Sequence, residues 1–97
     1  MRLAFFGTPA IAVPSLEALV CSHHDVACVV TRPDKPAGRS RALRPPAVVR
    51  TARAAGIEVF QPAKAGDCVA DLHRLGLDVV VVVAYGGWLP PPVLRVA

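Results

Sequence analysis

Asp78-Val79-Val80-Val81-Val82-Val83-Ala84-Tyr85 is the stretch on which the fold turns. Five consecutive β-branched valines show no alternation of apolar and polar positions, so a strand here is apolar on both faces. A central strand of a parallel sheet has that requirement when helices cover both sides. The run is far below the ~20 apolar residues needed to cross a bilayer as a helix. Asp78 marks its start, and Tyr85-Gly86-Gly87-Trp88-Leu89-Pro90 is irregular chain beyond it.

Working back from the valines, Asp67 can cap a helix over Cys68 to Leu75, with Val69, Leu72 and Leu75 inward and Gly76 closing it. Ile57 to Phe60 reads as a short strand stopped by Pro62, and Ala47 to Ala55 as a helix with Gly56 as its C-cap. Arg32 to Pro46 has five prolines and glycines (Pro33, Pro36, Gly38, Pro45, Pro46) and no apolar periodicity. It reads as a loop, and loops of that length are usually functional or disordered. Asp25 to Thr31 is a second apolar strand; Ala10 to Ser22 is a helix with Pro14 in its first turn or at a kink; Arg2 to Phe6 is a buried first strand. Beyond Pro90, Pro91-Pro92-Val93-Leu94-Arg95 begins a further helix. The order β-α-β-loop-α-β-α-β predicts an α/β, Rossmann-like parallel sheet with helices on both faces, of about four strands. The 97 residues suffice for one domain at most.

Ligands of such sheets bind outside the carboxyl ends of the strands. Gly7 to Pro9, the basic loop after Thr31, and Ala84 to Pro90 all follow strand ends, so they should share one face. Net charge is +4, and Arg32, Lys35, Arg39, Arg41, Arg44, Arg50 and Arg53 lie in one stretch opposed only by Asp34. That stretch is either a phosphate-facing patch or a solvated basic face. Three cysteines (Cys21, Cys28, Cys68) without CxxC spacing argue against a disulfide framework or a zinc site, and are expected as buried free thiols. His23, His24 and His73 are expected at helix surfaces rather than as metal ligands. Met1 to Phe6 lacks the apolar length of a signal peptide, so a soluble, cytoplasmic chain is expected.

Phe6-Gly7-Thr8-Pro9 occupies the first strand-to-helix turn. A dinucleotide site needs the G-x-G-x-x-G spacing, whereas here one glycine is followed by a proline that removes an amide donor. Gly7 allows either a ligand close to the backbone or simply a tight turn. Thr31-Arg32-Pro33-Asp34-Lys35-Pro36-Ala37-Gly38-Arg39-Ser40 is proline-stiffened and cationic. A stiff loop costs less entropy to order on RNA, and arginine adds planar bidentate phosphate contacts. This segment is expected to form a rigid cationic finger on the ligand side of the sheet.

These motifs resemble those of the methionyl-tRNA formyltransferase family. Phe6–Pro9 is similar to the family's opening turn, Thr31–Arg39 to its loop after the second strand, Val59-Phe60-Gln61-Pro62 to its third strand and exit, and Val81–Gly86 with Leu89-Pro90 to its central strand and following turn. The four occur in the family's order across nearly the whole chain. The resemblance implies formyl transfer from 10-formyltetrahydrofolate to the α-amine of methionine on initiator tRNA, without a metal and with no membrane or DNA partner. It implies tRNA contacts from Arg32, Lys35, Arg39, Arg41 and Arg44, with Arg39 matching a recognition arginine. It implies a folate pocket along Ala84, Tyr85, Gly86, Leu89 and Pro90, with Gly7 and Thr8 in the substrate-side turn.

Gly87-Trp88 stands where the family usually has aliphatic residues, so Trp88 either reshapes the pterin slot or turns outward. The family's Asn-x-His motif and catalytic aspartate lie downstream of this chain, which contains no asparagine. Residues 1–97 are therefore expected to be the amino-terminal portion of a catalytic domain, lacking its carboxy-terminal remainder and inert alone. The Val79–Val83 strand is expected to be central in a complete sheet and to leave an uncovered edge here, making the piece weakly stable. The competing readings are a non-catalytic basic RNA-binding module and a related folate-dependent formyltransferase with another amine substrate.

Overall fold

A computed structural model describes residues 1–37 and 42–96. The described elements run β1 (Arg2–Gly7), α1 (Val13–Val20), β2 (Asp25–Val30), β3 (Lys35–Ala37), β4 (Ala42–Arg44), α2 (Ala47–Ala54), β5 (Glu58–Phe60), α3 (Val69–Arg74), β6 (Val79–Val83) and α4 (Pro91–Leu94). β1 pairs in parallel with β2 and β6, and β2 pairs in parallel with β5, giving the order β5-β2-β1-β6. This is the expected Rossmann-like parallel sheet.

Period-two alternation in β1 splits the core into two layers. Leu3 and Phe5 pack with Leu16, Val48 and Ala52 beneath α1 and α2. Ala4 and Phe6 face the other way, onto Leu72, Tyr85, Val93 and Val96. The valines of β6 divide likewise, with Val79, Val81 and Val83 on the first layer and Val80 on the second. Within this chain β6 lies at a sheet edge with β1 as its partner, and Val82 is 44% exposed. A run apolar on both faces reports cover above and below the sheet. It carries no information about neighbours along the sheet.

Three expected elements differ in detail. The helix over Ala10 to Ser22 is a 3-10 turn (Ala10–Ala12) followed by α1. Pro14 has no N–H to return to the Ala10 carbonyl, which instead accepts from Val13. Asp67 does not cap from outside the helix: it lies within a 3-10 turn (Ala65–Cys68), where its carboxylate accepts the Lys64 backbone N–H at 3.3 Å. The stretch expected as plain loop contains an antiparallel hairpin, with Lys35 opposite Arg44, Pro36 opposite Leu43 and Ala37 opposite Ala42. Pro36 is tolerated because a two-stranded ribbon has free outer edges that need no N–H.

Gly56 and Gly76, expected to close α2 and α3, both take positive φ (72° and 62°). Cys28 and Cys68 are buried free thiols, but Cys21 is exposed, because it follows the last turn of α1 rather than facing the core. Among the described residues no helix is long and apolar enough to cross a membrane.

Candidate functional site

The chain moves outward from β1 to β2 to β5 and then returns to place β6 on the other side of β1. That reversal is a topological switch point, and a crevice opens at the carboxyl ends of the strands there. Thr8 leaves β1, Thr31 and Arg32 leave β2, Gln61 leaves β5, and Ala84 to Gly87 leave β6.

One hydroxyl joins three of these exits. Thr8 Oγ1 donates to the Tyr85 carbonyl at 2.6 Å and accepts the Arg32 backbone N–H at 3.3 Å. Thr31 Oγ1, fully buried, lies 3.3 Å from the same atom. Gln61 secures the fourth exit, its Nε2 donating to the Arg32 carbonyl at 3.2 Å and to Asp34 Oδ1 at 2.7 Å. The Arg32 guanidinium turns along the rim and donates to the Ala63 carbonyl at 3.4 Å.

The turn after β6 is strained. Ala84 adopts φ 51°, a left-handed conformation costing a side-chain-bearing residue roughly 1–2 kcal/mol, and Gly86 follows at φ 82°. The result folds Tyr85 under the turn, 2% exposed and edge-on to Phe6 with ring centroids 5.4 Å apart. The Tyr85 hydroxyl is buried without a hydrogen-bond partner among the described residues. Burial pushes its pKa up, against the opposing pull of the nearby Arg32 charge, so the phenol is neutral at pH 7. Gly87 is required by crowding: a Cβ there would lie 2.9 Å from the Tyr85 ring and 3.1 Å from Arg32 Nη1.

Two cavities flank Arg32. One of about 340 Å³ is lined by Thr8, Pro9, Arg32, Ala84, Tyr85 and Gly86. The other, about 450 Å³, runs along Arg32, Ala63 to Asp67, Trp88 and Pro90. A third, about 500 Å³, lies at the opposite end of the strands beside Arg2, His24 and Asp25. His24 therefore sits far from the rim, with its Nδ1 3.2 Å from the Met1 amine. Among the described residues no group of three or more His, Cys, Asp or Glu could hold a metal ion.

Thr8, Arg32, Ala84, Tyr85 and Gly86 thus meet around one cavity, and Pro90 lines the next. Leu89 packs against the core. At Gly7 a Cβ would lie 2.7 Å from Phe5 and 2.9 Å from the Val83 carbonyl, so the packing of β1 on β6 leaves room only for a glycine. Lys35 and Arg44 are register partners in the hairpin backbone, while Arg39 and Arg41 lie outside the described residues. Trp88 turns outward and is 78% exposed. Sequence reasoning gave no site role to Thr31, Gln61 or Lys64. The strand-exit position of Thr31 and Gln61 was the available signal.

The sequence profile of a family described as Formyl transferase matches residues 1–97. The methionyl-tRNA formyltransferase of Pelotomaculum thermopropionicum is 51% identical over 98 residues, covering 99% of this chain and 31% of that protein. The enzyme of the same name from Thermobifida fusca is 54% identical over 91 residues, covering 92% of this chain and 29% of that protein. The chain spans under a third of the length of these curated relatives. A glycinamide ribonucleotide transformylase from Symbiobacterium toebii superposes with a TM-score of 0.68 at 17% identity, over 99% of this chain and 47% of that one.

Proposed function

This chain belongs to the formyl transferase family, and from that membership we propose that its rim is the amino-terminal share of a site moving a formyl group from 10-formyltetrahydrofolate to methionine on initiator tRNA. The observation carrying this reading is the position of Arg32. It lines the Thr8–Tyr85 cavity and, three residues on, leads into the hairpin with its Lys35 and Arg44. A small-molecule cavity and the root of a basic finger are thereby joined at one edge of the sheet. The relatives named above carry the same substrate in their names. Lys35, Arg39, Arg41 and Arg44 are assigned to the tRNA, with Arg32 at the finger's base.

The folate side is the turn after β6. A cavity of about 340 Å³ lies within the usual range for small-ligand sites, roughly 300–1,000 Å³. The buried, unpartnered Tyr85 hydroxyl supplies a neutral donor beneath it. Thr8 is held by its bonds to the Tyr85 carbonyl and Arg32 amide, and fixes the shape of the cradle. When bound, the folate supplies the formyl carbonyl.

Attack of a neutral amine on that carbonyl creates an oxyanion and an ammonium, so the site must stabilise one and deprotonate the other. Among the described residues no carboxylate or imidazole lines the Thr8–Tyr85 cavity. Its residues position ligands, and a general base has to come from elsewhere. The resemblance places an asparagine, a histidine and an aspartate downstream of Ala97. Residues 1–97 alone should therefore bind and not catalyse.

The test uses the purified 97-residue chain with labelled initiator methionyl-tRNA. Retention on a filter should fall roughly 10-fold in Arg39→Ala, and no formyl-methionine should form above background. The reading fails if the chain formylates, or if Arg50→Ala and Arg53→Ala weaken binding as much as Arg39→Ala, which would mark non-specific attraction.

A further inference from the structure

We propose that Trp88, with Arg32 and Lys64, forms a stacking site for one unpaired nucleotide of the bound RNA; this rests on the tRNA reading above. Nothing in the folate side of the site uses Trp88. Its ring is 78% exposed, turned out of the core that holds Leu89 and Val93 on either side of Pro90. It borders the cavity of about 450 Å³ that Arg32, Lys64, Gly66, Asp67 and Pro90 complete. An indole facing solvent loses apolar contact that a flat partner restores, and every base offers a flat face.

The charges suit a phosphate beside the ring. Arg32 and Lys64 stand against one carboxylate, Asp67, whose Oδ2 accepts the Lys64 backbone N–H. Arg32 adds a planar fork matched to phosphate oxygens. Position then selects RNA over a second folate. Gln61 anchors Arg32 and Asp34 at the hairpin's root, and Ala63 and Lys64 follow it directly into this cavity. An RNA strand lying along that root would meet the Trp88 ring at the border of the cavity. The cavity around Tyr85 lies on the other side of Arg32.

The chain has one tryptophan, so its emission reports this position alone. The chain is titrated with a single-stranded RNA hexanucleotide, with an RNA duplex of the same sequence, and with 5-formyltetrahydrofolate. Expected is quenching by the single strand, weaker quenching by the duplex, and little by the folate. Trp88→Leu should lose roughly 5- to 100-fold in single-strand affinity, the usual range for one stacked base, and Trp88→Phe should keep most of it. Filter retention of initiator tRNA is measured in parallel, since it does not depend on the indole signal. Retention without quenching, or with Trp88→Leu binding as tightly as the parent, overturns the stacking site and leaves the tRNA reading standing. Quenching by the folate alone also overturns it. Absence of both signals removes both proposals.

Discussion

Gly7 is a glycine because of what stands beside it. Its φ is not in the left-handed region, yet a single carbon added there would press on the Phe5 ring, the Val83 carbonyl and Ala12 at once. Backbone cannot give way as a flexible side-chain tip can. Gly7→Ala should therefore destabilise by about 1–3 kcal/mol, the usual cost of overpacking, read as a lower urea midpoint. An unchanged midpoint would contradict the close packing of β1 on β6. The neighbouring Thr8 works by the opposite means, adding an atom rather than withholding one. Its hydroxyl is the common partner of the Tyr85 carbonyl and the Arg32 amide.

At the scale of elements, the β3–β4 hairpin poses a question of support. Two three-residue strands are marginal on their own in water. Among the described residues Gln61 ties down the hairpin's root, its amide holding the Arg32 carbonyl and the Asp34 carboxylate. Gln61→Ala removes both. Losing about 1 kcal/mol of net hydrogen bonding should speed amide exchange in β3 and β4 roughly 5- to 10-fold while β1 and β2 stay protected. Equal acceleration throughout the sheet would mean that Gln61 supports the whole fold instead. α1 shows the same dependence on local chemistry. Its α-helical portion starts late because Pro14 cannot donate to Ala10, and a 3-10 turn fills the gap.

The whole molecule is a thin sheet buried on both faces, and its buried acids make it sensitive to alkali. Cys28 is pushed from its ordinary 9.0 up to about 12, by burial first, then by the charges of Cys68 and Glu58, with Arg2 opposing. Burial likewise raises Cys68 and Tyr85. A raised acid keeps its proton in the fold after the unfolded chain has released it. The folded state then holds more protons, so stability is complete below about pH 9 and is lost as pH climbs toward about 12. The urea midpoint should stay level from about pH 7 to 8.5 and decline steadily above 9, less steeply in Cys28→Val. A midpoint constant to about pH 10.5 would refute the burial of these groups. Among the described residues β6 pairs with β1 alone, and it carries the exposed Val82.

The alternation of apolar runs and helical segments, read from the chain alone, determined the parallel α/β fold, because burial on both sheet faces demands residues such as Val79 to Val83. Strand exits were legible for the same reason, and with them Thr8, Arg32, Ala84, Tyr85 and Gly86. Other features depended on distances between segments far apart in sequence. Only the folded chain could show that Gly7 serves packing, that Gln61 bonds Asp34 twenty-seven residues away at the root of a hairpin, and that Cys21 faces solvent. Trp88 illustrates the division: its bulk at position 88 was visible in the sequence, but that it is 78% exposed at the border of a cavity was visible only in the folded chain. Composition and periodicity report what a residue must be buried with in kind, and tertiary contact alone settles which neighbour it meets.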